Sequence, residues 1–461
     1  MKSKYRREKD ALGFVDVPYD SYYGSETARA ISNFKISGLK VPMDFIIAYA
    51  QLKKAAAMAN ARLGKLDERI AKAIEKAADD VASGKLDKYF TLDVLQAGAG
   101  TSTNMNLNEV IANRALELIG RKKGDYKYIH PNDHVNMSQS TNDTFHVAMH
   151  VAAAKLIIGS LVPALTRMEK LLNAKSREFS KTVKIGRTHL QDAVPITLGD
   201  EFKGYSGQVE ECIKDMSYVL SLLKHIPIGG TAVGTGINAP AGYPKLAART
   251  LSDVTHIRFF AEANLFAGMQ NIEEEIMLSG ALRTCAVTLN RIANDFRLMG
   301  SGPRAGLGEL ILPTVQPGSS IMPGKVNPSM AEMLNMACFQ VMGNCTTIEE
   351  AANAGQLELN VFMPIAAFNI VFALKVLANA VDAFNEKCLK GVSANNARIG
   401  KTLEENLSLA TALTPYIGYA KAAEIANEAA STGKTIIQVC LEHKVLDKAK
   451  LEKVLDSRNL V

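Results

Sequence analysis

The sequence predicts a mainly α-helical protein organised in three parts. Apolar residues recur at helical spacing in five long runs, 145–179, 202–223, 272–299, 330–342 and 360–389. Strand-like alternation is scarce. The fifth run is apolar on nearly every face around Ile370-Val371-Phe372-Ala373-Leu374, and a helix without a polar face needs burial on all sides. Taken in order, 1–140 reads as a mixed, mostly helical N-terminal domain with turn-rich stretches. Residues 141–393 read as a central long-helix bundle domain, and 394–461 as a small helical domain broken at Pro415 and Gly433. At about 1.5 Å per residue, a helix of about thirty residues is roughly 45 Å long, a length suited to bundles. A lone bundle leaves its outer faces wet, so the all-apolar run predicts an oligomeric helical core. There is no internal repeat and no low-complexity segment.

The chain has 461 residues, 47% apolar and 22% charged, ordinary for a soluble globular protein with sizeable cores. Its net charge of +6 is modest for its length. Basic residues are dense only at Lys2, Lys4, Arg6, Arg7 and Lys9; so short a run reads as a solvated tail, and no nucleic-acid partner is expected. The six cysteines, at 212, 285, 338, 345, 388 and 440, form no C-x-x-C pair and several lie in apolar helical patterns. They read as buried free thiols rather than a disulfide frame or zinc site. The polar start lacks a signal-peptide core. Even the most apolar region, 361–384, is interrupted by Pro364, Asn369 and Lys375, short of the roughly 18 uninterrupted residues of a bilayer span. No membrane partner is expected, and the expected location is cytoplasmic.

Four segments gather hydroxyls, amides and glycines between apolar runs. They are Gly98-Ala99-Gly100-Thr101-Ser102-Thr103-Asn104-Met105-Asn106, the stretch from His130 to Asp143, Gly186-Arg187-Thr188-His189-Leu190-Gln191-Asp192, and the loop from Gly318 to Pro328. None holds a G-x-S-x-G nucleophile arrangement. Neutral donors of this kind, with backbone N–H groups, suit carboxylate oxygens. Two of the segments precede long helices, whose N-termini favour anions. Ser140-Thr141-Asn142 also reads as a helix cap, which is compatible because both roles use the same helix end. His130, Asp133 and His134 superficially suggest a metal site, but Pro131 argues against one helical face presenting them, and no metal is expected. The glycines of 229–236 do not follow G-x-G-x-x-G and read as a tight turn.

The most informative segment is Gly318-Ser319-Ser320-Ile321-Met322-Pro323-Gly324-Lys325-Val326-Asn327-Pro328. Its prolines exclude a helix or central strand interior, so it is a loop, where chemistry commonly resides. Five residues separate Gly318 from Gly324 and Val326 follows Lys325, so the phosphate-loop pattern does not fit. The Ile321–Met322 pair reads as buried, which sets aside a bland linker.

These eleven residues match, letter for letter, the signature loop of the fumarase/aspartase superfamily, which the chain resembles over nearly its whole length. The resemblance runs from Tyr22-Tyr23-Gly24 through Gly186-Arg187-Thr188-His189 and the loop to Glu358-Leu359-Asn360-Val361. It implies a three-domain fold with a central bundle of five long helices. It also implies a homotetramer whose bundles merge into a twenty-helix core, with active sites shared by three subunits. The implied reaction is elimination from a small dicarboxylate, usually giving fumarate. No cofactor is required, and divalent-cation activation is not readable from the residues.

By the same resemblance, Ser319 is the base, acting as an alkoxide. Lys325 and Asn327 hold the carboxylate beside the abstracted proton, and Ser320 adds a donor to the other. Thr101, Ser140 and Thr141 bind the carboxylate that develops charge. Thr188, His189 and Asn142 surround the leaving group, and Glu332 pairs with His189. The glycines at 302, 306, 308, 318 and 324 let the loop close over substrate.

Within the superfamily, Gly98-Ala99-Gly100-Thr101-Ser102-Thr103-Asn104, Lys123-Gly124-Asp125-Tyr126-Lys127-Tyr128, Ser140-Thr141-Asn142, Asn33 to Gly38 and Ala354-Gly355-Gln356-Leu357 resemble aspartases. Glu358-Leu359-Asn360-Val361-Phe362 and the stretch 417–426 resemble class II fumarases. The tally implies aspartate ammonia-lyase, with class II fumarate hydratase as the alternative and a non-catalytic structural homologue, like some lens proteins, third. Where many relatives read F-P-T-A, this chain has Phe145-His146-Val147-Ala148.

Overall fold

In a computed structural model the described residues are 4–456; Lys2, the first lysine of the basic run, and the last residues of the C-terminal domain lie outside them. The fold is mainly helical, as the periodicity predicts. Among the described residues the strands form two-stranded pairs only. A hairpin, β1 (Tyr5–Asp10) and β2 (Gly13–Pro18), opens the chain. Helices α1 (Ser25–Asn33), α2 (Met43–Arg62), α3 (Glu68–Ala82) and α4 (Thr101–Leu118) follow. Local chemistry sets their starts. Pro42 precedes α2, and the Asp67 carboxylate accepts the Arg69 and Ile70 N–H groups to cap α3.

The five predicted runs are all helical, with changed limits. α5 (Thr141–Leu156) and α6 (Val162–Glu178) are joined by a π-turn at Ile157–Leu161. The hairpin β3 (Val183–Thr188) and β4 (Gln191–Thr197) leads into α7 (Leu198–Leu223). A two-residue parallel pair, β5 (His225–Ile226) with β6 (Phe260–Ala261), frames α8 (Tyr243–Thr255). The single turn α9 (Ala267–Gln270) then precedes α10 (Glu273–Met299). β7 (Leu310–Ile311) pairs with β8 (Ser393–Ala394). The remaining long helices are α11 (Ser329–Asn353) and α12 (Met363–Lys387). α11 runs well past the predicted end at Met342, because buried Cys345 and Ile348 continue its apolar face. Short helices α13 (Asn396–Glu404) to α17 (Lys448–Val454) finish the chain.

The contacts divide the chain into two compact units. One comprises 4–162, 214–284 and 339–378 of the described residues, the other 163–213, 285–338 and 379–456. In the first, Phe45 packs on Phe145 with ring centroids 4.8 Å apart, and the Tyr49 hydroxyl lies 2.8 Å from Asn104 Oδ1 and 2.7 Å from Thr144 Oγ1. In the second, Phe202 packs on Phe179 and Phe296, and Phe296 on Phe384. This unit has a further apolar cluster, formed by Leu413, Ile425, Ile436, Val439 and Leu451 of the C-terminal segment. All six cysteines are buried free thiols.

Two helical stretches have the length and hydropathy of a bilayer span, against the sequence expectation. They are Thr141–Glu178 and Met363–Gly391, with 67% and 61% of their most apolar windows buried inside the chain. The reading from charges and prolines missed the second because Pro364 falls in the first turn of α12, where a missing N–H costs no hydrogen bond. Core helices pass the same length test.

Candidate active site

The first unit holds Thr101, Ser140, Thr141 and Asn142. The Ser140-Thr141-Asn142-Asp143 tetrapeptide folds as a capping box at the start of α5. Ser140 Oγ accepts the Asn142 N–H at 3.2 Å, and Asp143 Oδ1 accepts the Ser140 N–H at 2.9 Å. The glycine turn at 229–236 closes onto this end: the N–H groups of Gly229 and Thr231 donate to Asp143 Oδ2 at 3.0 and 3.1 Å, and Asn142 Nδ2 donates to the Ala232 carbonyl at 2.8 Å. The tight-turn reading of these glycines therefore has a definite partner. Burial lifts the Asp143 carboxyl to about 6, against those N–H donors and the nearby Lys53 cation, which hold it down.

Thr101 is exposed on the first turn of α4, and Asn104, one turn on, donates from Nδ2 to Thr141 Oγ1 at 2.9 Å. The two donor-rich helix starts are thus joined side chain to side chain. Gly100 permits this approach, since a Cβ there would lie 2.0 Å from the Phe145 ring.

Lys53, Asn104 and Asp143 received no role from the sequence. Lys53 is fully buried and donates to Asn136 Oδ1 at 2.8 Å and Gln139 Oε1 at 3.0 Å, bracing the segment before Ser140. Burial pulls its amine down to about 7, opposed by Asp143. Nothing local marks Lys53 as buried; Asp143 was legible, three residues after Ser140. His130 and His134 use their ring nitrogens locally: His130 Nδ1 accepts the Asn132 and Asp133 N–H groups, and His134 Nδ1 accepts that of His130.

The second unit holds Thr188, His189, Ser319, Ser320, Lys325, Asn327 and Glu332. Thr188 and His189 are exposed at the turn of the β3–β4 hairpin, with His189 and Leu190 at φ of 57° and 59°. Behind the turn, buried Lys184 meets Glu201 and Glu309 at 2.9 Å each, and Arg187 Nη1 donates to Glu309 Oε1 at 2.8 Å. Sequence reading gave Lys184, Glu201 and Glu309 no role, because their partners are distant in the chain.

The signature loop is a compact, solvent-facing turn. Lys325 O accepts the Gly318 N–H at 2.9 Å, and Asn327 Nδ2 donates to the Gly318 carbonyl at 2.7 Å. Gly318 is required by close approach, since a Cβ would lie 2.4 Å from Lys325 O; Gly324 sits at φ 80°. Ser319 Oγ accepts the N–H groups of Ile321 at 3.2 Å and Met322 at 3.0 Å. Ile321 is 83% exposed and Met322 49%, so the expectation of a buried pair fails: the turn spends these residues' N–H groups on Ser319 and points their side chains outward. Ser320 and Lys325 are exposed, and Lys325 makes no ion pair among the described residues. Glu332 is half-buried in the first turn of α11. Among the described residues of one chain, it forms no ion pair with His189.

Each unit therefore carries neutral hydroxyl and amide donors at a helix start or loop, and the second adds a lysine and a hydroxyl held by two N–H groups. Donors of this kind can hold carboxylates and stabilise an oxyanion.

The chain matches the family model described as "Lyase" over 13–343 and that described as "Fumarase C C-terminus" over 409–461. It is 49% identical over 442 residues to a class II fumarate hydratase of Thermosynechococcus vestitus, covering 96% of this chain and 95% of that one. It is 46% identical over 455 residues to an aspartate ammonia-lyase of Bacillus subtilis, covering 99% and 96%. The structure of a class II fumarase from Schistosoma mansoni superposes with a TM-score of 0.96 at 37% identity, covering 99% of both chains. The chain belongs to the fumarase/aspartase superfamily of lyases.

Proposed function

We propose that the chain catalyses reversible elimination from a four-carbon dicarboxylate to give fumarate, with Ser319 as the base. The observation that carries this reading is the pair of backbone N–H groups on Ser319 Oγ. A carbon acid beside a carboxylate is weak, and its deprotonation gives a dianionic aci-carboxylate. A serine suited to that step must be held as alkoxide, and hydrogen bonds to the charged form lower its pKa. Lys325, in the same turn, adds positive charge. Lys325, Asn327 and Ser320 bind one end of the substrate. Thr101, Ser140 and Thr141 bind the other, at a helix N-terminus. Thr188, His189 and Asn142 surround the leaving group, with Glu332 orienting His189. The two sets meet in a homotetramer, at sites built from three subunits. These steps use no cofactor, and the buried free thiols suit a reducing cytoplasm.

Two leaving groups fit this frame. Water is the reading that the relatives favour, since fumarate hydratases lead by identity and recur in cyanobacterial, yeast and mammalian proteins. Ammonia is the reading that the local segments favour, through Thr101-Ser102-Thr103, 123–128 and Ser140-Thr141-Asn142. The carboxylate cradle is common to both, and Asn142, Thr188 and His189 offer acceptors to an ammonium and donors to a departing hydroxide alike. Ultraviolet detection of fumarate with L-malate and L-aspartate in parallel separates them. Fumarate from neither substrate overturns the proposal as a whole.

A further inference from the structure

Away from the candidate active site, the first unit buries a second polar cluster. His150 lies on α5, and Glu274 and Glu275 on the first turn of α10. Their ligand-capable atoms all lie within 4.8 Å of one another. His150 and Glu275 are 2% and 1% exposed, while Glu274 is half-buried and opens the cluster toward solvent.

The hydrogen bonds define which atoms are available. His150 Nδ1 lies 3.1 Å from the Leu223 carbonyl oxygen and 3.0 Å from that of His225. Carbonyls only accept, so Nδ1 carries the proton and donates. An imidazole fixed this way by backbone carbonyls presents Nε2 to whatever lies opposite, the usual arrangement behind a metal-ligating histidine. Opposite lies Glu275, with Oε1 3.3 Å from Nε2. Neither Glu275 oxygen receives a hydrogen bond among the described residues, although both are buried. A buried carboxylate in that state is costly.

Simple helix capping by Glu274 and Glu275 would leave those oxygens facing N–H groups or water. The charge-assisted N–H···O contact of an imidazolium–carboxylate pair is about 2.7–2.9 Å, shorter than the 3.3 Å between His150 Nε2 and Glu275 Oε1. Two ligands on one tetrahedral metal ion at roughly 2.1 Å lie about 3.4 Å apart, close to the observed 3.3 Å. Two carboxylates and a neutral imidazole also balance a divalent charge. His146 stands one turn before His150, where the sequence departs from the F-P-T-A pattern; its Nε2 contacts the Met269 carbonyl oxygen at 3.2 Å and ties α5 to the turn preceding α10.

We propose that His150, Glu274 and Glu275 form a divalent transition-metal site of the zinc type, with the half-exposed side of Glu274 as its entrance and water completing the shell. Rotation of the Glu274 side chain closes the remaining ligand spacing.

The test uses untagged full-length protein, stripped with chelator and dialysed, then titrated with ZnCl2 by calorimetry, with metal content measured by mass spectrometry. One Zn2+ per chain at micromolar ZnCl2 is expected, with a rise in thermal midpoint. Glu274→Gln and Glu275→Gln should each weaken binding at least about tenfold and reduce the zinc-dependent rise. Glu274 is on the solvent side, so Glu274→Gln decides the matter if Glu275→Gln does not fold. Substoichiometric uptake by the parent protein, or a Glu274→Gln protein binding as tightly as the parent, overturns the proposal.

Discussion

Lys184 Nζ lies 2.9 Å from Glu309 Oε2, and the two side chains are 2% and 1% exposed. The pair joins the hairpin that carries Thr188 and His189 to the residue just before β7, ahead of the signature loop. Glu309 also receives Arg187, and Lys184 also meets Glu201. One carboxylate thus steadies both cations of β3, so the hairpin turn is held from its root.

Glu309→Gln should therefore destabilise the fold by about 3–5 kcal/mol, since removing one member of a buried pair strands the others' charge. Urea unfolding measures it. A loss under about 1 kcal/mol would mean that the network contributes no more than a surface pair. A parallel fall in turnover, with substrate KM less affected, is expected from a slackened hairpin.

Ser319→Ala should lower fumarate formation at least about a hundredfold, because a methyl cannot act as base. The fold should be unchanged, since Ser319 lies in a solvent-facing turn. Circular dichroism checks the fold and ultraviolet absorbance the rate. Near-normal turnover in a folded variant would remove Ser319 from the role of base.

Stability should rise with pH on account of Lys53. Its folded amine sits at about 7 against an ordinary 10.5. Between these values the unfolded chain holds a proton that the folded chain lacks, so raising pH favours the folded state; below about 7 the cost of burying the cation is felt in full. Lys53→Met should flatten that slope, which is at most about 1.4 kcal/mol per pH unit for a single group. Chemical unfolding at several pH values between 7 and 10 tests it. An unchanged slope in Lys53→Met would assign the dependence elsewhere.

The protein should sediment as a homotetramer at micromolar concentration. Tyr218, Met277, Val287, Met336, Phe339 and Phe372 are exposed large apolar residues on long helices, and 39% of the most apolar window of α12 and the turn after it is unburied within one chain, against 61% buried. Such surface calls for a partner. A stable, active monomer would contradict both this and a site shared between subunits.

Much of this protein was legible residue by residue. The five helical runs follow from local periodicity, the signature loop from its own glycines and prolines, and the α5 cap from Ser140-Thr141-Asn142; each signal lies within a few residues of what it specifies. The tertiary structure decided the rest. It buried Lys53 and Lys184, which composition would leave in water. It exposed Ile321 and Met322, whose hydrophobicity predicted the opposite, and it gave the Gly229–Gly236 turn its partner in Asp143. It brought His150 of one helix against Glu275 of another, more than a hundred residues away in the chain. The physical reason is common to all of these. A residue's helical or turn preference is set by its immediate neighbours, whereas its burial, partners and proton affinity are set by groups that only the folded chain brings within a few ångströms.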